Sequence, residues 1–68
     1  MGALYYVQGL WPDGRICAGC EGIWGSKRGA IRAARAMRDS AMFEGSHVRV
    51  ICEGELVWGP SKVPGKKG

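Results

Sequence analysis

Ser26-Lys27-Arg28-Gly29-Ala30-Ile31-Arg32-Ala33-Ala34-Arg35-Ala36-Met37 is the stretch that decides the fold. Ser26 is a helix N-cap residue: its hydroxyl can accept a hydrogen bond from an otherwise free N–H of the first turn. Five alanines fall between positions 30 and 41, and alanine is the strongest helix former. A helix is therefore expected from Ser26 to about Met42, with Gly29 as a local weakness. Phe43 anchors its exit and Gly45 breaks it. At the helical period, Ala30, Ala33, Ala34, Met37 and Ala41 share one face, and Arg28, Arg32 and Arg35 lie opposite, at i, i+4 and i+7. Ile31 and Arg38 flank the boundary. Side chains this small let a helix lie flat and close on a sheet.

The sheet is read on both sides of that helix. Residues 3–11 are aromatic and aliphatic and read as a strand. Pro12-Asp13-Gly14 is a turn signal, since Pro presets φ, Asp bonds the local backbone and Gly tolerates positive φ. Arg15 to about Cys20 reads as a second, antiparallel strand, with a bulge or an early exit where Gly19 and Gly22 weaken it. After the helix, His47-Val48-Arg49-Val50-Ile51-Cys52 alternates as a third strand. Glu53-Gly54 is a two-residue hairpin turn, and Glu55 to Trp58 is the fourth strand. Strict alternation puts Val48, Val50, Cys52 and Val57 on one face. It puts His47, Arg49, Ile51, Leu56 and Trp58 on the other. Tyr5 and Tyr6 must then point to opposite faces. The expected architecture is α+β, ββαββ: a curved antiparallel sheet packed on a single helix, leaving one sheet face open as a candidate interaction surface. The domain is expected over residues 1–59, with 60–68 as a disordered basic tail.

With 68 residues and 7.3 kDa, there is room for one small domain and no deep enclosed site. The net charge is +4, from 10 Lys+Arg against 6 Asp+Glu. Its placement matters more than its size. Lys27, Arg28, Arg32, Arg35 and Arg38 follow one another with no acid among them. Lys62, Lys66 and Lys67 form a second basic region, and Glu44, Glu53 and Glu55 lie between the two. A face of one sign favours an anionic partner: nucleic acid, an acidic protein surface or anionic lipid. Arginine adds weight, because its planar fork grips phosphate or carboxylate through two bonds.

The remaining chemistry-bearing residues are not expected to form a reactive constellation. Cys17-Ala18-Gly19-Cys20 is a CxxC, the unit of a redox dithiol or half a zinc site. His47 and Cys52 could complete four ligands, but they lie far along the chain and on opposite faces of their strand. Thioredoxin-like chemistry needs its CxxC at a helix N-terminus, where the thiol pKa falls, and this one lies within a strand. The cysteines are accordingly read as structural or incidental, with no metal and no cofactor. His47 is read as a surface or strand-edge histidine. Asp13 and Asp39 have local roles, as turn former and as i+4 partner of Arg35. No nucleophile elbow, Walker loop or dinucleotide fingerprint is present, so no enzyme is expected. The N-terminus has neither a basic region nor a long apolar run, and no segment approaches the ~20 apolar residues of a membrane span. The expected location is a host cytoplasm, where thiols stay reduced.

Ser26 to Trp58 resembles a known pattern: a Ser-started Ala/Arg-rich helix, then Phe-x-Gly-Ser, a Val-Arg-Val strand, a Gly turn and a strand ending in an aromatic. Here it reads Gly25-Ser26-Lys27-Arg28, Ala33-Ala34-Arg35, Phe43-Glu44-Gly45-Ser46 and Val48-Arg49-Val50-Ile51. With Ala3-Leu4-Tyr5 in front, the chain looks like small phage-encoded anti-CRISPR proteins that act on type I (Cascade) surveillance complexes. The resemblance implies a phage or mobile-element protein that blocks target DNA hybridisation by occupying the Cas7-type backbone of the complex. Tyr5 falls where the family has a partner-facing tyrosine, and Arg32 where its helix is basic. The implied contact set is Tyr5, Arg28, Arg32 and Arg35, with Arg38 and Arg49 at the rim and possible contact to DNA or RNA phosphates. The alternative is a small basic nucleic-acid-binding module, such as a phage regulator.

Overall fold

A computed structural model of the chain describes residues 2–65. Its elements are β1 (Tyr5–Leu10), β2 (Ile16–Trp24), α1 (Lys27–Asp39), β3 (His47–Cys52) and β4 (Glu55–Lys62). All strand pairs are antiparallel, in one open sheet of order β2-β1-β3-β4. The fold is α+β, with α1 lying on one face of the sheet over the central strands β1 and β3.

The local signals act where the residues place them. Asp13 Oδ1 accepts from the Arg15 N–H at 3.0 Å, and Asp13 Oδ2 accepts from Arg15 Nε at 2.6 Å. The turn is closed by hydrogen bonds between Trp11 and both Gly14 and Arg15. Ser26 caps α1, its Oγ accepting from the Gly29 N–H at 3.1 Å. The helix stops at Asp39, short of the expected Met42. Ser40 takes an extended backbone with ψ 133°, and its Oγ accepts from the Met42 N–H at 3.2 Å. A serine that bonds the local backbone offers it an alternative to the helix. Ala41 consequently leaves the apolar face and is exposed.

The core sits between α1 and the sheet. It is built from Val7, Ala30, Ala34, Phe43, Val48 and Val50. Ala30 and Ala34 are fully buried, as are Val48 and Val50, and each valine contributes roughly 1.5 kcal/mol or more. Close approach is built into β1 as well. A Cβ on Gly9 would stand 2.6 Å from the Phe43 ring and 2.8 Å from Cys20 Cβ. Phe43 therefore lies directly on the backbone of β1, and Cys20 lies beside it.

Both edge strands are longer than expected, each through a bulge. In β2 the register breaks between Gln8↔Glu21 and Leu10↔Ile16. Cys17 to Cys20 there stand against Gly9 alone, with Gly19 at φ 83°, and the strand then continues to Trp24. In β4 the register slips between Ile51↔Leu56 and Val50↔Trp58, leaving Val57 as an extra residue. A one-residue slip turns every following side chain to the other face. Trp58 is thereby placed opposite Val50 and packs against the core, not on the open face. A second irregularity sets Gly59 and Pro60 against Arg49, and β4 resumes with Ser61 opposite Val48 and Lys62 opposite His47. The domain boundary expected at residue 59 is thus corrected. The Val63 N–H donates to the Ser46 carbonyl at 2.9 Å, and Val63 and Pro64 line a cleft of about 430 Å³ with Asp39 and Phe43. The rest of the expected tail, Lys66 to Gly68, lies outside the described residues.

Candidate functional site

The stripe on α1 is a property of one helix. Positions 28, 32 and 35 fall on one side of it and span roughly 10 Å at 1.5 Å per residue. Lys27, Arg28, Ile31, Arg32 and Arg35 line a single open concavity of about 620 Å³. All four cations are exposed. Neither ion pair found within 4 Å among the described residues involves any of them. The outer face of α1 therefore carries four positive charges around one aliphatic side chain, none of them in an ion pair within 4 Å among the described residues. Such a face attracts anions, and phosphate oxygens suit the bidentate donors of arginine.

The other expected contacts lie elsewhere. Arg38 is bound into the structure. Its Nε donates to Asp39 Oδ1 at 2.9 Å and its Nη1 to Ser61 Oγ at 3.0 Å. Its guanidinium carbon is 6.0 Å from the centre of the Trp58 ring. Asp39 hydrogen-bonds this adjacent arginine, and the expected partner Arg35 acts on it through charge alone. The Arg38 hydrogen bond holds the Asp39 carboxyl below its ordinary range and raises Arg38 in turn. Arg49 is on the opposite side of the sheet from α1, its Nε donating to Gln8 Oε1 at 2.8 Å. Tyr5 is half-buried against the core on the helix side, and Tyr6 takes the open face. The expected set of six is thus divided: Arg28, Arg32 and Arg35 are together, joined by Lys27, whereas Tyr5, Arg38 and Arg49 are not part of that surface.

The open sheet face has a feature that strict alternation missed in part. Ile23, Tyr6, Ile51 and Leu56 are aligned by register across all four strands. Ile23 and Leu56 are each more than half exposed. The row alongside is polar, formed by Glu21, Gln8 and Arg49.

The serine and histidine next to each other at the start of β3 do not form a nucleophilic pair. Ser46 Oγ is 2.8 Å from His47 Nδ1, but Ser46 is only 4% exposed. Its N–H donates to the Leu10 carbonyl at 2.8 Å, so the residue ties β1 to β3 and is not presented to a substrate. No group of three or more His, Cys, Asp or Glu residues that could hold a metal ion occurs among the described residues. No helix among them is long and apolar enough to cross a membrane.

Comparison with protein-family models, with curated proteins and with solved structures finds no match to this chain.

Proposed function

We propose that this protein is a non-catalytic binding module that acts by occupancy, gripping nucleic-acid phosphates with the outer face of α1. The observation that carries this reading is the joint exposure of Lys27, Arg28, Arg32 and Arg35 around one concavity, with no acid paired to any of them. Four cations on one helix face supply the sequence-independent part of nucleic-acid affinity, which comes from release of condensed counterions. A single helix without a helix-turn-helix frame favours backbone contact over base reading.

The specific form of this proposal follows the sequence resemblance. The nucleic acid is the guide held along the Cas7-type backbone of a type I surveillance complex in a host cytoplasm. The protein is a phage or mobile-element anti-CRISPR that blocks target pairing there. Guide-loaded channels are recognised through charge and shape, which suits a small basic module. The test is a pull-down of tagged protein with purified type I complex, with and without nuclease, beside a titration against naked DNA and RNA. Saturable, nuclease-resistant binding at fixed stoichiometry supports the anti-CRISPR form. Salt-sensitive binding to free nucleic acid alone leaves the broader module and removes the anti-CRISPR form. Binding to neither overturns both.

A further inference from the structure

The bulge of β2 does more than lengthen an edge strand. It folds the CxxC back on itself, so that Cys17 Sγ and Cys20 Sγ stand 3.1 Å apart. That is about 1 Å beyond a disulfide bond length of ~2.05 Å. Three features set the pair in place. Gly19 takes φ 83° between the two cysteines, a backbone conformation in which glycine is at ease. Cys17 is 3% exposed, so one thiol is shut away from solvent. Cys20 is half-buried and packs against the core, with its Cβ close over Gly9 beside the Phe43 ring. Cys52, the third thiol, sits on β3 opposite Tyr5, whereas Gly9 lies opposite Val48 at the other end of that ladder. The odd cysteine count thus resolves into a pair and a singleton.

We propose that Cys17 and Cys20 form a dithiol site whose substrate is a low-molecular-weight disulfide, and that reaction closes them into an intramolecular disulfide. Cys20, the more accessible thiol, gives up its proton and attacks one sulfur of the disulfide RSSR. The RS–SR bond breaks, and the departing RS⁻ takes up that proton. Cys17 then attacks the Cys20 sulfur of the mixed disulfide, the second RS⁻ leaves, and it takes up the proton of Cys17. Two protein thiols are oxidised to one disulfide and one RSSR is reduced to two RSH. The hydrogen bond with Cys17, followed by desolvation, pushes the Cys20 thiol up to about 11. Cys20 therefore rests protonated at neutral pH, and its exchange quickens as the solution becomes alkaline. This site is separate from the stripe on α1, so it stands or falls independently of nucleic-acid binding.

The experiment is equilibration of the full chain over a series of reduced-to-oxidised glutathione ratios, quenched in acid, alkylated and weighed intact. The expected oxidised product is a monomer lighter by one pair of hydrogens with a single thiol left to alkylate. Cys52→Ser should give the same closure with no thiol left. Cys17→Ser should instead hold a stable glutathione adduct on Cys20, and circular dichroism checks that each variant is folded. The closure rate should rise with pH as the thiolate fraction grows. Oxidation that puts glutathione on Cys52, or links two chains through it, while Cys17 and Cys20 remain alkylatable would overturn the proposal. So would full alkylation of all three thiols at every ratio.

Discussion

The guanidinium of Arg38 lies 6.0 Å from the centre of the Trp58 ring and donates to Ser61 Oγ at 3.0 Å. One arginine of a run that looks uniform in sequence is thereby turned inward to tie the end of α1 to β4. Its side chain is only 23% exposed, unlike those of Arg28, Arg32 and Arg35. A cation over an indole and a hydrogen bond to a neutral hydroxyl both favour a folded arrangement. Arg38→Gln should therefore lower the melting temperature, whereas Arg32→Gln should leave it unchanged within error. Thermal unfolding of the two variants side by side is the check. Equal effects would mean that Arg38 is not a structural arginine.

The stripe makes the opposite prediction, on binding and not on stability. If Lys27, Arg28, Arg32 and Arg35 all contact phosphates of duplex DNA, log affinity should fall with log salt at a slope of roughly −3.6, about 0.9 per contact. Removing one arginine should shallow the slope by about 0.9 and weaken binding to every sequence alike. The double reversal Arg32→Glu with Arg35→Glu should abolish binding while the far-ultraviolet circular dichroism spectrum stays unchanged. Fluorescence anisotropy across a salt series reads both. A salt-independent affinity would move the interface off α1.

Local chemistry made much of this molecule readable in advance. Ser26 caps the helix, Asp13 closes the first turn, and Val48 and Val50 face the core, because each effect acts within a few residues of chain. The arginine stripe was legible for the same reason, since helical period alone puts 28, 32 and 35 on one side. Partners far along the chain were not legible. Arg38 finds Ser61 at a separation of 23 residues, and Arg49 finds Gln8 at 41. Nothing near either arginine announces that contact. Gly59-Pro60 misled in a more specific way. Glycine and proline usually end a strand, yet on an edge strand a proline at a bulge forfeits no ladder bond. Here they accompany a bulge, and β4 continues to Lys62.

The register of β4 can be tested by truncation. Simple alternation from the Glu53-Gly54 turn would expose Trp58 and leave it near neutral. The slip at Val57 instead packs Trp58 on the core, while Leu56, ahead of the slip, stays on the open face, 54% exposed. Trp58→Ala should cost about 2–3 kcal/mol, below the ~3–5 kcal/mol of a fully buried aromatic. Leu56→Ala should change stability by less than about 0.5 kcal/mol. Urea unfolding midpoints for the two variants decide which register holds.

Gly9 offers a test of how closely Phe43 approaches β1. A Cβ there would meet the Phe43 ring at 2.6 Å and Cys20 Cβ at 2.8 Å. Neither neighbour can yield without disturbing the core, so Gly9→Ala should destabilise the fold by about 1–3 kcal/mol. Pairing it with Phe43→Leu, which withdraws the ring, should recover part of that loss. The recovery is a coupling between neighbours that a double-mutant cycle in urea measures. Strict additivity would show that the ring does not bear on Gly9.

Acid should act on the same end of α1 that Arg38 secures. The Asp39 carboxyl is held below its ordinary 3.8 first by its hydrogen bond with Arg38, and Asp13 is lowered first by the Arg15 N–H. A carboxyl depressed in the folded state adds stability that is fully present above the unfolded value. That stability is lost as pH falls through the folded value. The loss therefore belongs to the range below about pH 4, with no contribution from either group between pH 5 and 8. Asp39→Asn should flatten the acid limb of a melting-temperature profile, because its pair with Arg38 no longer titrates. Its Tm at neutral pH should fall below that of the parent, and the two profiles should converge in acid. A difference that persists unchanged at low pH would mean that the pair is not what titrates there.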